Sequence, residues 1–228
     1  MPSRTLFLSL IVALAFAAGA CSSESDDAAP ADSATTDQTV ESEPDEEPTA
    51  TVPLGEQVGA IEVIGASLDV MPPQISVTDP TNDSAIGQPA PEIIGTSFDG
   101  STVAISADGT PKMIMFVAHW CPHCQREVPA VKAMIDDGLL PENLEVIIVS
   151  TAVREGEDQY PPQTWLEGEQ WSGPILRDSA ELDALLAYGA GGFPFAVYVN
   201  GDHEVVVRTA GEIPSDVIQE LWLATAAG

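Results

Sequence analysis

Basic residues are scarce in this chain. Its 228 residues include 7 Lys and Arg against 36 Asp and Glu, which gives a formal net charge of −29. That balance excludes nucleic-acid binding through a basic patch and argues against electrostatic docking onto anionic lipid. The 3 cysteines are too few for a disulfide scaffold, and the 3 histidines limit what a metal site can be made from. A hydrophobic content of 44% is nevertheless enough for a packed core.

The first twenty residues have the pattern of an export signal. Arg4 supplies a positive start, an uncharged apolar run follows over residues 6–18, and small residues precede Cys21. The run is shorter than the roughly 20 residues that span a membrane. Small residues directly before a cysteine resemble the lipobox of bacterial lipoproteins, which implies a lipidated Cys21 and an anchor at the outer face of the bacterial cell membrane. Ala18 stands where leucine is usual, and ordinary signal cleavage that leaves a free Cys21 is the alternative.

The rest of the chain divides into three parts by composition. Residues 21–57 are almost entirely Ser, Asp, Glu, Ala, Thr and Pro, and we predict a disordered acidic tether because large apolar residues are too few to offset the entropy of ordering. Residues 58–86 contain scattered apolar residues and are predicted to be an ordered attachment of one or two short strands. Residues 87–228 combine 21 acidic with 6 basic residues and are predicted to be the globular domain.

This domain alternates apolar runs with helical patterns. The runs at 112–118 and 144–150 predict strands buried on both faces. Apolar spacing predicts a helix over 122–137. The other predicted elements are a hairpin turn at Asp99-Gly100, strands at 195–199 and 204–208, and helices at 163–170, at 179–188 with Leu182, Leu185 and Leu186 inward, and at 215–226. This order predicts an α/β fold.

The candidate reactive group is Cys121-Pro122-His123-Cys124, which follows a predicted strand and opens a predicted helix. Thiol exchange needs a thiolate, and the positive end of a helix stabilises an anion. Two intervening residues bring the second sulfur close enough to close a disulfide and release a partner. We therefore expect Cys121 to be the nucleophile and Cys124 the resolving thiol, while His123 adds positive charge or a hydrogen-bond donor.

Several segments resemble one known superfamily. Trp120-Cys121-Pro122-His123-Cys124 after a Val- and Phe-rich strand resembles thioredoxins, and Gly87-Gln88-Pro89-Ala90-Pro91 before the hairpin resembles the start of TlpA-like and redoxin-type domains. Residues 192–201 resemble the segment around the family's cis-proline. The resemblance covers about 87–226 and implies a thioredoxin-like fold, with a central mixed sheet flanked by helices. It also implies a cis bond before Pro194, a Phe193 backbone that pairs with an extended substrate, and Trp120 packed beside the disulfide.

The resemblance implies an extracytoplasmic, membrane-tethered thiol-disulfide oxidoreductase that acts on exported proteins. Its redox group would be the Cys121–Cys124 disulfide, with no other cofactor, and a membrane or envelope protein would supply or accept electrons. Whole-domain resemblance favours a TlpA-like reductase. The Pro-His dipeptide is that of DsbA-type oxidases, so introduction of disulfides is the alternative. Met115 stands where thioredoxins carry a buried Asp, so proton transfer must use water, His123 or a group not yet placed.

A function of another class is a copper carrier that binds metal through Cys121 and Cys124, with His203 as a third ligand. We expect His203 to be a solvated strand residue instead, because it follows a hairpin turn. The sequence has no second Cys/His pair at zinc-ligand spacing, and no metal site is predicted. Gln125 stands where covalent haem attachment needs His, and Ala118 stands where a peroxiredoxin-type peroxidase needs Thr.

Overall fold

A computed structural model describes residues 52–73 and 82–228 of the chain. Its strands are β1 (Glu62–Ile64), β2 (Glu92–Thr96), β3 (Thr102–Ile105), β4 (Lys112–Val117), β5 (Glu145–Ser150), β6 (Ile175–Arg177), β7 (Phe195–Val199) and β8 (Val205–Ala210). Its helices are α1 (Leu54–Gln57), α2 (Pro122–Asp136), α3 (Pro162–Gly168), α4 (Asp183–Ala187) and α5 (Ser215–Ala226). Within the described ranges, no helix combines the length and the apolar character that crossing a bilayer requires.

A mixed five-stranded sheet forms the centre of the domain. Its strand order is β6-β5-β4-β7-β8, with β4, β5 and β6 parallel and β7 and β8 antiparallel to their neighbours. Every residue of β4 is buried, because the side chains of Met113 and Met115 pack under α2 and α5 while those of Ile114 and Phe116 face the opposite layer. The predicted strands at 112–118 and 144–150 and the predicted thioredoxin-like fold are confirmed.

A second, three-stranded sheet packs at the N-terminal side. The predicted hairpin is β2 and β3, joined through Asp99 and Gly100, and β1 adds antiparallel to β2. Residues 52–57, which we assigned to the tether, include α1, and Gln57 is buried with its side-chain oxygen accepting a hydrogen bond from the Gln163 N–H at 3.2 Å. The ordered part thus begins before the predicted boundary at 57. The signal segment, Cys21 and residues 21–51 of the tether lie outside the described residues and stay predictions.

Two local expectations were wrong. Leu186 is 64% exposed rather than inward, because α4 begins only at Asp183, after Leu182 adopts a left-handed conformation that changes the helical phase expected from 179. His203 is 4% exposed rather than solvated. Its carbonyl accepts a hydrogen bond from the Ala90 N–H at 2.9 Å, so the strand segment before β2 covers the turn in which it lies.

Candidate active site

The CPHC motif lies between the end of β4 and the start of α2. Cys121 has an extended backbone and caps the helix. Pro122 is the first helical residue, a position whose N–H has no partner within the helix, so a proline there costs no hydrogen bond. The Cys121 N–H donates to the Ala118 carbonyl at 3.0 Å, and its own carbonyl accepts from the Gln125 N–H at 3.1 Å. These contacts hold the Cys121 sulfur at the positive end of a 15-residue helix, where a thiolate is stabilised.

The two thiols of the motif differ in access. Both are free, and Cys121 is 6% exposed whereas Cys124 is wholly buried. Burial raises the pKa of Cys124 far above its ordinary value, and the Cys121 sulfur and the Glu127 charge act in the same direction. Cys124 therefore stays protonated at neutral pH, and Cys121 is the sulfur that a partner can reach.

A buried carboxyl group lies one helical turn beyond Cys124. Glu127 is 3% exposed, and its Oε2 accepts a hydrogen bond from the Ile213 N–H at 3.0 Å. Burial raises the pKa of Glu127 to about 7, although the Ile213 N–H opposes this effect. A carboxyl group that titrates near neutral pH is suited to take up and return protons. Sequence analysis missed Glu127, although its three-residue spacing from Cys124 places both side chains on one face of a helix.

An exposed cluster of charges lies over the start of α2. Glu212, in the loop between β8 and α5, accepts hydrogen bonds from the Arg126 guanidinium at 2.6 and 3.2 Å, and its Oε2 lies 3.0 Å from His123 Nδ1. The hydrogen bonds from Arg126 and His123 lower the pKa of Glu212. His123 Nδ1 also lies 2.7 Å from Arg126 Nη2, so this nitrogen donates to Glu212 when protonated and accepts from Arg126 when not. Glu212 therefore offsets positive charge beside Cys121.

The predicted substrate-binding residues lie next to the motif. The Trp120 indole N–H donates to the Ala152 carbonyl at 2.8 Å, and its ring meets the Phe193 ring edge to face, with centroids 5.9 Å apart. The Phe193–Pro194 peptide bond is cis. The Pro194 carbonyl accepts from the Gly211 N–H at 2.8 Å, one residue before Glu212. The structure thus brings residues 120–124, 193–194 and 211–213 into one site.

The loop between β5 and α3 is fixed beside the motif by His119. This side chain is buried, its Nδ1–H donates to the Asp158 carbonyl at 2.6 Å, and its Nε2 accepts from the Arg154 N–H at 3.1 Å. Both contacts fit a neutral ring, and burial lowers the pKa of His119. The Arg154 guanidinium lies over the Trp120 ring, 3.8 Å from its centroid. Sequence analysis gave no role to this loop and missed Arg154.

The three-ligand copper site with His203 is contradicted by the topology. β7 is antiparallel to β4, and Val199, at the end of β7, pairs with Lys112, at the start of β4. His203 therefore lies at one end of the six-residue strand β4 and Cys121 at the other, roughly 20 Å apart at about 3.3 Å per residue. Among the described residues, no three Cys, His, Asp or Glu side chains are grouped closely enough to hold a metal ion.

Fold and motif together define a thioredoxin-like protein with a paired-thiol site. The sequence matches the AhpC/TSA family over residues 86–209, more than half of the chain, and the chain belongs to this family.

Two relatives each align with more than half of the chain. The chain is 23% identical over 135 residues to the thiol-disulfide oxidoreductase ResA of Halalkalibacterium halodurans, an alignment that covers 59% of this chain and 73% of that protein. It is 24% identical over 126 residues to the methylamine utilization protein MauD of Methylophilus methylotrophus, covering 54% of each, so it spans about half the length of that relative. The predicted class, a thiol-disulfide oxidoreductase of the redoxin type, is confirmed.

A solved structure shares the fold. The thiol:disulfide interchange protein DsbE from Chlorobium tepidum superposes with a TM-score of 0.51 at 19% identity, covering 61% of this chain and 96% of that chain.

Proposed function

We propose that this protein is an extracytoplasmic reductase that exchanges disulfides with exported proteins through Cys121 and Cys124. The observation that carries the proposal is the difference between the two thiols: one reaches the surface at a helix N-terminus, and the other is buried beside a titrating carboxyl group. Dithiol exchange needs this division between an attacking and a resolving sulfur.

The proposed reaction has two steps. The Cys121 thiolate attacks a partner disulfide, forms a mixed disulfide and releases one partner thiolate, which takes a proton from solvent. Cys124 then gives its proton to Glu127 and attacks Cys121 Sγ, which closes the Cys121–Cys124 disulfide and releases the second partner sulfur as a thiolate, and this thiolate takes a proton from solvent. Two electrons pass from the enzyme dithiol to the partner disulfide, and neither step uses a metal or another cofactor. An electron donor of the membrane or envelope returns the enzyme to the dithiol.

The partner polypeptide is proposed to lie across Trp120 and Phe193. No other backbone group of the described residues hydrogen-bonds with the N–H or C=O of Phe193, which leaves both for an extended segment of a partner. The edge-to-face contact with Trp120 holds Phe193 beside the motif. Pro194 follows Phe193 and fixes the direction in which the chain of this protein enters β7.

The direction of electron flow is inferred from the charges over the motif. A Pro-His dipeptide favours an oxidising pair when its imidazolium stabilises the thiolate. In this protein Glu212 accepts hydrogen bonds from Arg126, so the positive charge of the guanidinium is partly offset beside Cys121. A less stabilised thiolate means a more reducing pair, which supports the reductase. A reduction potential near about −270 mV supports this direction, and one near about −120 mV supports the DsbA-like oxidase instead.

Trapping of partners tests the exchange itself. Cys124→Ser removes the resolving sulfur, so mixed disulfides at Cys121 should accumulate and be released by dithiothreitol. The matched control is the double variant in which Cys121 is also Ser, which should trap nothing. Absence of mixed disulfides in Cys124→Ser would contradict the proposal. Tight copper binding by a dithiol that does not exchange would favour the carrier that uses Cys121 and Cys124.

Export and anchoring are proposed from residues 1–57. The signal pattern over 1–20 and the lipobox-like sequence before Cys21 support a lipid anchor, and the acidic segment would hold the domain away from the membrane. Incorporation of a labelled fatty acid tests the anchor. Cys21→Ser should abolish the label, and label that persists in this variant would refute lipidation at Cys21.

A further inference from the structure

The cations of the domain are unevenly distributed. Four of its six Lys and Arg side chains are buried or half-buried and hydrogen-bonded within the protein, namely Lys112, Lys132, Arg177 and Arg208. The other two, Arg126 and Arg154, are exposed, and both lie beside the CPHC motif. In a chain with a formal net charge of −29, the accessible positive charge is therefore concentrated at the candidate active site.

Of these two arginines, Arg154 is the one whose guanidinium is not paired with a carboxylate of the described residues. Arg126 is bound to Glu212, whereas no hydrogen bond or ion pair engages the Arg154 guanidinium anywhere in residues 52–73 and 82–228. Glu155 and Glu157 follow on the same loop, and neither pairs with it. The five N–H donors of the guanidinium are thus left for a molecule that approaches the site.

The loop holds Arg154 in place before any partner arrives. Its backbone N–H donates to the buried His119, and the neighbouring Ala152 carbonyl accepts the Trp120 indole N–H. The guanidinium is stacked 3.8 Å over the Trp120 ring, directly next to Cys121 in the chain. A group that is already fixed loses less conformational entropy on binding than a free surface arginine does.

We propose that Arg154 is a specificity-determining residue that binds a carboxylate of the partner polypeptide next to the partner's reactive cysteine. The planar guanidinium matches a carboxylate with two parallel hydrogen bonds. Trp120 lies between Arg154 and Phe193, so residues that flank a cysteine docked on Phe193 come within reach of Arg154. This inference rests on the proposed disulfide exchange and adds to it which partner cysteines are preferred.

Two peptides test the preference. Each has one cysteine joined as a mixed disulfide to pyridine-2-thiol; one peptide has Glu on both sides of the cysteine and the other has Gln. Reduced enzyme donates two electrons, closes the Cys121–Cys124 disulfide, and yields the peptide thiol and pyridine-2-thione. We expect the second-order rate constant to be about two- to fivefold higher for the Glu peptide at low ionic strength, the range of an exposed ion pair, and the ratio to shrink as salt is added.

Variants assign the preference to Arg154. Arg154→Gln should bring the Glu-to-Gln rate ratio to about one, and Arg154→Glu should invert it. Lys132→Gln changes the net charge equally at an ion pair with Asp136 elsewhere on α2, and it should keep the wild-type ratio. A ratio of one in the wild-type protein, or a wild-type ratio in Arg154→Gln, overturns the inference.

Failure of the exchange proposal is a separate result. If the wild-type protein reduces neither peptide, then the disulfide exchange itself is refuted. If Arg154→Gln does not fold, the salt dependence of the wild-type ratio still decides, because a preference that salt does not reduce is not an ion pair.

Discussion

Replacement of Glu127 by Gln removes a titrating proton from the interior while it keeps the size of the side chain and an acceptor for the Ile213 N–H. Burial raises the pKa of Glu127 from 4.5 to about 7. At 1.36 kcal/mol per pH unit, the ionised carboxylate costs the folded protein about 3 kcal/mol. The folded protein binds this proton more tightly than the unfolded chain does. The contribution of this proton to the free energy of unfolding is therefore complete below pH 4.5 and is lost as the pH rises to about 7.

The effect of Glu127→Gln on the stability of the folded protein depends on pH. Below pH 4.5 the carboxyl group is protonated in both states, and Glu127→Gln should have nearly the stability of the wild-type protein. Well above pH 7 the variant should be more stable, by about 3 kcal/mol, because it buries no charge. Urea denaturation of the reduced proteins at the two pH values measures this difference. Glu220→Gln is the matched control, because Glu220 is an exposed carboxylate on α5 and its removal should leave the pH dependence unchanged.

The same variant should be slower in exchange. Without Glu127 the buried Cys124 has no carboxylate to take its proton, and loss of a general base typically costs about 10²-fold or more. The assay is the release of a small thiol from a mixed disulfide at Cys121, followed across pH. In the wild-type protein the rate should rise through about pH 7, and this inflection should be absent in Glu127→Gln.

Two results would refute this reasoning. One is an inflection near pH 7 that persists in Glu127→Gln, which would assign the titration to another group. The other is a variant that gains no stability above pH 7, which would mean that the carboxylate is hydrated rather than buried. A variant that is more stable and slower at once is the result that the structure predicts.

Three further predictions concern the packing and the charges of the domain. Trp222→Ala should destabilise the fold by about 3–5 kcal/mol in urea denaturation, because this fully buried side chain packs α5 onto the sheet. Asp83→Ala should cost about 3–5 kcal/mol by the same measurement, since it leaves the buried Arg208 guanidinium without its carboxylate. Glu212→Gln should raise the reduction potential measured against glutathione, because the positive charge of Arg126 is then no longer offset beside the Cys121 thiolate.

The parts of the fold that were predictable from sequence are those set by neighbouring residues. The apolar runs of β4 and β5 are continuous because helices or a second sheet cover both faces, and no partner strand has to be known to recognise them. The CPHC motif and α2 were equally visible, since a proline at the first helical position and apolar spacing are local signals. Leu186 was misplaced because the left-handed Leu182 is not encoded in apolar periodicity.

The parts of the site that were missed depend on contacts between distant segments. Glu127 was readable as a polar residue on an apolar helix face, but its pKa depends on burial under residues near 213. Arg154 reaches Trp120 only because His119 fixes the loop after β5, and Glu212 reaches His123 across a gap of 89 residues. No spacing rule relates such positions, and a sequence without the fold gives them no role.

The loop between β8 and α5 acts on both thiols. The Ile213 N–H lowers the pKa of Glu127 and the neighbouring Glu212 charge raises it, while Glu212 also offsets the positive charge of Arg126 beside Cys121. Glu212 thus makes the attacking thiolate less stabilised and the buried carboxylate a stronger base for Cys124. A less stabilised thiolate favours the disulfide form of the enzyme, and a stronger base speeds its closure. The first effect favours electron flow from this protein to its partner, which is the direction proposed above, and the second changes the rate of closure and not its direction.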